Sequence, residues 1–271
     1  MTPCWSCERD PGTGLACASC GALTAPAPGE TLFAALGLPL RYDVDLATAE
    51  AVFKARTRLV HPDRFARADP RARQLSMRRT VQLNEAWRTI KHPVRRAEYL
   101  LGLLGYDVGG EEGATGPAAP VPIAAATAGP PATAAAGAGS AGRGPRVRLP
   151  VSPALLNDVL EAREALEAAR AAGDASIVRR LAVDVAGQLA RALGAVADGF
   201  EAVLGRADGP SPTGDPPGTA APDLARQKEK LDAVAEQLIA IRYHQRFLDE
   251  IGAVEPELPA LPPAPPRLGG P

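Results

Sequence analysis

Aromatic side chains are scarce in this chain: 4% of 271 residues, as two Trp, four Tyr and five Phe. A core short of rings must be filled by Leu, Val and Ala, which suits packed helices better than sheets, so the expected class is all-α. A charge excess of either sign is also missing, since the formal net charge is -1. That balance argues against a surface given over wholly to nucleic acid or membrane, although local patches must still be read segment by segment. Lysine occurs only at positions 54, 91, 228 and 230 against 26 arginines, which reads as codon bias and is given no functional weight. No apolar run approaches the roughly 20 residues of a membrane span. The three residues before Cys4 leave no room for a targeting peptide, so a soluble, cytoplasmic protein is expected. HExxH, P-loop, GxGxxG and nucleophile motifs are all lacking, so the expectation is a protein that is not an enzyme.

What the chain has in quantity is proline and glycine, 28 and 27 residues, which breaks it into small domains joined by irregular segments. Five segments separate by composition: a cysteine cluster in 1–24, a helical region at 30–106, an Ala/Gly/Pro tract at 107–150, a second helical region at 151–254 and a Pro-rich tail at 255–271. The tract from Glu111 to Pro150 has almost no large apolar residue, cannot offset the entropy of ordering, and is predicted to be a mobile linker. Gly205 to Pro222 reads as a long loop between two helices. In the first helical region, Leu46, Ala49, Phe53 and Val60 share one helical face, as do Leu83, Ala86, Trp87 and Ile90. Two antiparallel helices follow, with Asp45 as N-cap of the first and Pro70 in the first turn of the second. Val94, Ala97, Leu101 and Leu104 predict a further helix from Pro93 to Gly105. Beyond the linker, helices are predicted at 153–171, 174–204 and 223–252, forming a three-helix bundle.

The loop between the first two helices carries His61-Pro62-Asp63. A bland reading is a turn in which Pro62 fixes φ and Asp63 caps a neighbour. Its context says more: it follows a helix bearing Lys54, Arg56 and Arg58 and precedes Arg64-Phe65. With the motif intact as LVHPDRF, the segment resembles the J domain. That resemblance implies docking of His61, Pro62 and Asp63 on a DnaK-type ATPase, with Lys54, Arg56, Arg58, Arg64 and Arg67 steering the encounter. A solvated helix face is the plain alternative for those bases. Pro62 keeps the loop out of either helix, and an exposed Asp63 can accept a charge-assisted bond from a partner arginine.

LNEAWRTIKHPVRRAEYLL, residues 83–101, is similar to HscB, the J-protein of iron-sulfur cluster assembly. Most of this run reads as structural, with Trp87 and Leu100 in the core and His92 a solvated residue before Pro93. On the first helix of the second region, Leu155, Val159, Ala162, Leu166 and Ala169 cluster as the core face, leaving Leu156, Leu160 and Glu164 as an apolar and acidic stripe. A wider buried face would account for the stripe equally well. VLEAREALEAA is similar to the HscB helix that contacts the cluster scaffold. The resemblance implies that Leu156, Leu160, Glu161 and Glu164, with Phe247 in RFLDEI, bind an IscU-like scaffold protein. Asn157 and Ala168 depart from the family pattern, where a larger apolar and an acidic residue are common.

Cys4-x2-Cys7 and Cys17-x2-Cys20 have the spacing of two metal knuckles. Four thiolates suit tetrahedral zinc, which in a coreless segment supplies the folding energy itself. Rubredoxin-like iron and redox-active thiols are the other readings. Full cysteine ligation leaves no open coordination position, so zinc is expected to be structural. A similar tetracysteine module precedes the J domain in some HscB relatives. The implied function is a co-chaperone that delivers a scaffold to an HscA-type chaperone and stimulates its ATPase. General DnaJ-like activity toward other clients is one alternative. A zinc-ribbon nucleic-acid binder is another, since residues 54–96 hold 13 basic side chains, but the cysteines lack interleaved aromatics beyond Trp5.

Overall fold

A computed structural model describes residues 3–108, 147, 149–205 and 221–254. Most of the tract expected as a linker, the middle of the 205–222 loop and the Pro-rich tail lie outside the described residues. The chain divides into two compact units.

In the N-terminal unit, α1 (Leu32–Leu36) is started by the Thr31 hydroxyl, which accepts from the Ala34 amide at 3.1 Å, and is stopped at the left-handed Gly37. This short helix escapes the periodicity argument because five residues hold barely more than one turn. Helix α2 (Leu46–Val60) begins at Asp45, whose carboxylate accepts from the Ala47 amide at 3.0 Å. A single 3-10 turn, Pro62–Phe65, leads to α3 (Pro70–Ile90), where Asp69 accepts from the Arg71 and Ala72 amides at 2.9 and 3.0 Å. Helix α4 (Pro93–Leu103) opens on Pro93 as expected, with His92 exposed before it.

The core of this unit is aliphatic with a few rings: Phe33, Leu36, Val60, Leu83, Ile90, Leu100 and Leu101 are essentially inaccessible. Burying each large side chain is worth about 1.5–3 kcal/mol. Phe53 stacks on Trp87 with centroids 5.4 Å apart, so the two predicted faces do meet. Leu46 departs from its predicted face and is exposed. It lies two turns before Phe53, where an antiparallel α3 has already ended. Leu104 is likewise exposed, because α4 stops at Leu103 and Leu104 is its cap. The chain stays packed slightly past the expected boundary at 106: Tyr106 and Val108 are buried, and the Asp107 amide donates to the Val147 carbonyl at 2.9 Å.

In the C-terminal unit, α5 (Pro153–Ala172), α6 (Ala175–Leu204) and α7 (Ala221–Val254) match the predicted helices to within two residues at each end. Ser152 caps α5, Gly173 ends it in the left-handed region, and Asp174 accepts from the Ser176 and Ile177 amides at 2.9 and 3.2 Å to start α6. Leu166, Ala169, Val178, Val185, Phe247, Ile251 and Val254 form a buried cluster. At Gly199 the helices α6 and α7 approach so closely that a β-carbon would overlap the Val234 side chain. No helix among the described residues is long and apolar enough to cross a membrane.

Candidate functional sites

The His-Pro-Asp loop stands between α2 and α3 with its functional groups outward. The Asp63 side chain is 91% exposed and that of His61 49%, so both can reach a partner. Locally the loop is ordered by its own atoms: the Asp63 amide donates to His61 Nδ1 at 3.3 Å, and the Arg64 amide to the His61 carbonyl at 3.0 Å. Pro62 starts the 3-10 turn, where its missing N–H costs nothing.

The basic residues expected beside the loop divide in two. Lys54, Arg58, Arg64 and Arg67 are exposed, with Lys54 lightly paired to Glu50 at 2.9 Å and Arg64 Nη1 donating back to the Arg58 carbonyl at 3.2 Å. Arg56 is not part of that surface. Its Nη1 donates to the Ala35 carbonyl at 2.8 Å, and its guanidinium fills the space where a side chain at Gly37 would stand. Two residues along a helix is a turn of about 200°, which carries Arg56 from the face of Lys54 to the side of α1. There it satisfies a carbonyl in that helix's last turn. Burial there lowers the Arg56 pKa from its usual value, with Glu30 opposing.

On α5 the predicted stripe is real. Leu156 is 40% exposed and Leu160 57%, and Glu161 and Glu164 are also exposed, while Val159, Leu166 and Ala169 are buried. Asn157 and Ala168, the two departures from the family pattern, are exposed as well. Phe247 does not join the stripe. At 2% exposure it lies inside the α5–α6–α7 cluster, so it is a core residue and is unavailable to a partner. Arg163 and Glu250, which ion-pair at the surface, mark the edge where α5 and α7 meet.

The four cysteines come together. The sulfurs of Cys4, Cys7, Cys17 and Cys20 lie within 4.8 Å of one another and form no disulfide. Cys4 and Cys20 are 3.7 Å apart and Cys7 and Cys17 3.8 Å. The edge of a tetrahedron with zinc–sulfur bonds of about 2.3 Å is about 3.8 Å, so the donor set fits a tetrahedral thiolate ion. Each knuckle is closed by the same pair of backbone bonds. Cys4 donates to the Arg9 carbonyl and accepts from the Glu8 amide, and Cys17 donates to the Ala22 carbonyl and accepts from the Gly21 amide, all at 2.8–2.9 Å. The turn residue is left-handed in both, Gly21 at φ 75° and Glu8 at φ 59°. The amides of Ser6 and Cys7 hold the Cys4 thiol down at about 6, whereas at Cys7 burial and the neighbouring sulfurs overcome the Arg9 amide and push it up to about 12. The neighbouring sulfurs thus oppose a thiolate at Cys7, and a bound dication would relieve that repulsion.

Sequence reasoning did not single out the residues that dock this module. Trp5 Nε1 donates to the Leu23 carbonyl at 2.8 Å, and Arg71 of α3 lies over the Trp5 ring at 5.1 Å. Arg79, buried in α3, reaches Thr24, Ala25, Glu30 and Gln82. The available signal was a polar residue recurring at core-facing positions of α3, Ser76 and Arg79 among Ala72, Leu75, Leu83 and Ala86.

Comparison with known proteins gives the same partition. Residues 151–252 match the family described as the HSCB C-terminal oligomerisation domain. That family model covers the second helical region and stops short of the linker and the J-domain hairpin. A co-chaperone protein HscB homolog from Cupriavidus taiwanensis is 44% identical over 82 residues, which is 30% of this chain and 47% of that protein. The match thus spans about half the length of that curated HscB relative. Two solved HscB structures share the fold. Human co-chaperone protein HscB superimposes with a TM-score of 0.61 at 19% identity, over 94% of this chain and all of the other. Chaperone HscB from Vibrio cholerae gives 0.52 at 22% identity, over 84% of this chain and 98% of that one. The all-α architecture, a J-domain hairpin and a helical bundle, is therefore shared with these HscB structures.

Proposed function

We propose that this protein is a co-chaperone of iron-sulfur cluster assembly, which stimulates a DnaK/HscA-type ATPase through His61, Pro62 and Asp63 and holds an IscU-like scaffold protein on α5. The observation that carries the reading is the intact His-Pro-Asp loop, presented outward between two antiparallel helices with both its imidazole and its carboxylate accessible. Lys54, Arg58 and Arg64 flank it as a positive field that would raise the rate of encounter with an acidic ATPase surface. Scaffold binding falls to Leu156 and Leu160 as apolar anchors, with Glu161 and Glu164 supplying charge at the rim. Zinc on the four cysteines is structural and carries no chemistry, and the chain performs no reaction of its own. Nucleic-acid binding is the weaker reading, because Arg56, Arg79 and Arg96 of the 13 basic residues in 54–96 are turned into the protein.

The test is stimulation of a purified DnaK-type ATPase by the full-length chain. His61→Gln and Asp63→Asn should abolish it with an unchanged melting temperature, since neither side chain belongs to the core. Equal stimulation by mutant and wild type would end the mechanism proposed for the loop.

A further inference from the structure

Ser76 has no exposed surface and lies on the core face of α3, between Ala72 and Leu83. An alanine would fill that space as well, so packing alone gives no reason for a hydroxyl. The hydroxyl is nevertheless used: Ser76 Oγ donates to the Val60 carbonyl at 2.6 Å, and Thr80, one turn further, reaches the same oxygen at 3.5 Å. Val60 is the last residue of α2 and the residue before His61.

Carbonyls in the last turn of a helix have no partner within it, and Pro62 cannot continue the helix to supply one. Two residues supply it from outside, Ser76 at Val60 and Arg64 at Arg58. Fixing the Val60 carbonyl fixes the plane of the peptide that enters His61. His61 is itself restricted by the proline after it, and Pro62 has its φ locked. With one end of the loop pinned and its middle stiff, little rotational freedom is left at the two side chains proposed to dock.

We infer that Ser76 is a positioning residue for the His-Pro-Asp loop, tethering its entry so that the loop is held in docking geometry before the partner arrives. The functional half of this inference rests on the co-chaperone reading above. A loop that occupies its docking geometry only a fraction of the time binds more weakly by that fraction, with no change in what happens once it is bound. Removing the tether should therefore raise the concentration needed for activation and leave the plateau alone.

Two measurements on the full-length chain test this. In hydrogen exchange, Ser76→Ala should speed the Asp63 and Arg64 amides about tenfold, while Leu100 and Leu101 in α4 keep their wild-type rates. In titrations against a DnaK-type ATPase that the wild type stimulates, Ser76→Ala should raise the half-maximal concentration about three- to tenfold at an unchanged plateau. Thr80→Val, which removes only the longer bond, should shift it by less than about twofold, and Ser76→Thr, which keeps a hydroxyl, should restore wild-type behaviour. Ile90→Val, a methylene lost from the same helix away from the loop, controls for stability. Unchanged exchange at Asp63 and Arg64, or an equal rise in half-maximal concentration for Ile90→Val, overturns the assignment. A wild-type chain that stimulates no such ATPase overturns the co-chaperone reading and the functional role with it, and the exchange result still decides whether the tether exists.

Discussion

Arg79 Nε donates to the Thr24 carbonyl at 3.0 Å, joining α3 to the segment that leaves the second cysteine knuckle. The same guanidinium bonds Glu30 Oε2 at 2.7 Å and the Ala25 carbonyl at 2.9 Å, and at 3% exposure it is sealed from water. Arg79→Ala would leave Glu30 without its ion-pair partner inside the protein. A loss of about 3–5 kcal/mol is expected, read as a fall in melting temperature. Arg79→Lys should recover little of it, because an ammonium cannot match five donors fixed in a fork. A melting temperature unchanged in Arg79→Ala would show the clamp to be dispensable.

One zinc ion per chain is expected on elemental analysis, with Cys4→Ser or Cys20→Ser losing it. Chelation should unfold the 3–24 segment and, through Trp5 on Arg71 and Arg79 on Thr24, lower the melting temperature of the helices behind it. A metal-free sample with a wild-type melting profile would contradict both the ion and the coupling.

Leu156→Ala with Leu160→Ala should keep nearly all thermal stability, as exposed truncations cost within about 0.5 kcal/mol each. Binding of an IscU-like scaffold, measured by calorimetry, should fall about tenfold or more. Phe247→Ala should behave in the opposite way. It empties a buried site and should cost about 3–5 kcal/mol in stability, and it weakens scaffold binding only by unfolding the domain.

His244 on α7 is half-buried, and burial, with Arg191 adding to it and Asp158 opposing, lowers its pKa from the ordinary 6.5. The unfolded chain therefore takes up this proton at a higher pH than the folded chain. Stability is complete above the ordinary value and falls as the pH drops through it toward the folded one. The melting temperature should be lower at about pH 5.5 than at about pH 7.5, and the difference should shrink in His244→Gln. No change in that difference would remove His244 from the acid sensitivity of the bundle.

The helices, their caps and the Cys-x2-Cys pairs were legible in the sequence because each depends on residues close together in it. Asp45 and Asp174 act within three residues of themselves, and so do Asp69 and Ser152, which sequence reasoning did not name as caps. The stripe on α5 was legible for the same reason, since 3.6-residue spacing sorts Leu156 and Leu160 away from Val159 and Leu166. Arg56 and Phe247 were misplaced because their surroundings are set by chain far away, α1 for the one and α5 and α6 for the other. An arginine in a basic helix looks solvent-facing until the neighbouring helix is in position, and Phe247 was placed at the scaffold surface by family resemblance, which does not register how α5 and α6 close over it. Ser76 and Arg79 show the converse: polar letters at core positions that gain their meaning from residues 16 and 55 positions away.

The absent side chain at Gly199 governs how the C-terminal bundle can deform. A glycine within a helix costs about 0.5–1 kcal/mol relative to alanine, and here it lets α7 seat Val234 directly against the α6 backbone. A notch of this kind acts as a pivot. Sliding α7 along α6 would carry Val234 out of the notch toward the side chains one turn away on the same face, Val196 and Val203, whereas tilting about the notch leaves it seated. Angular adjustment of the two long helices is thus easier than axial displacement, and Gly199→Ala would spread them at the crossing.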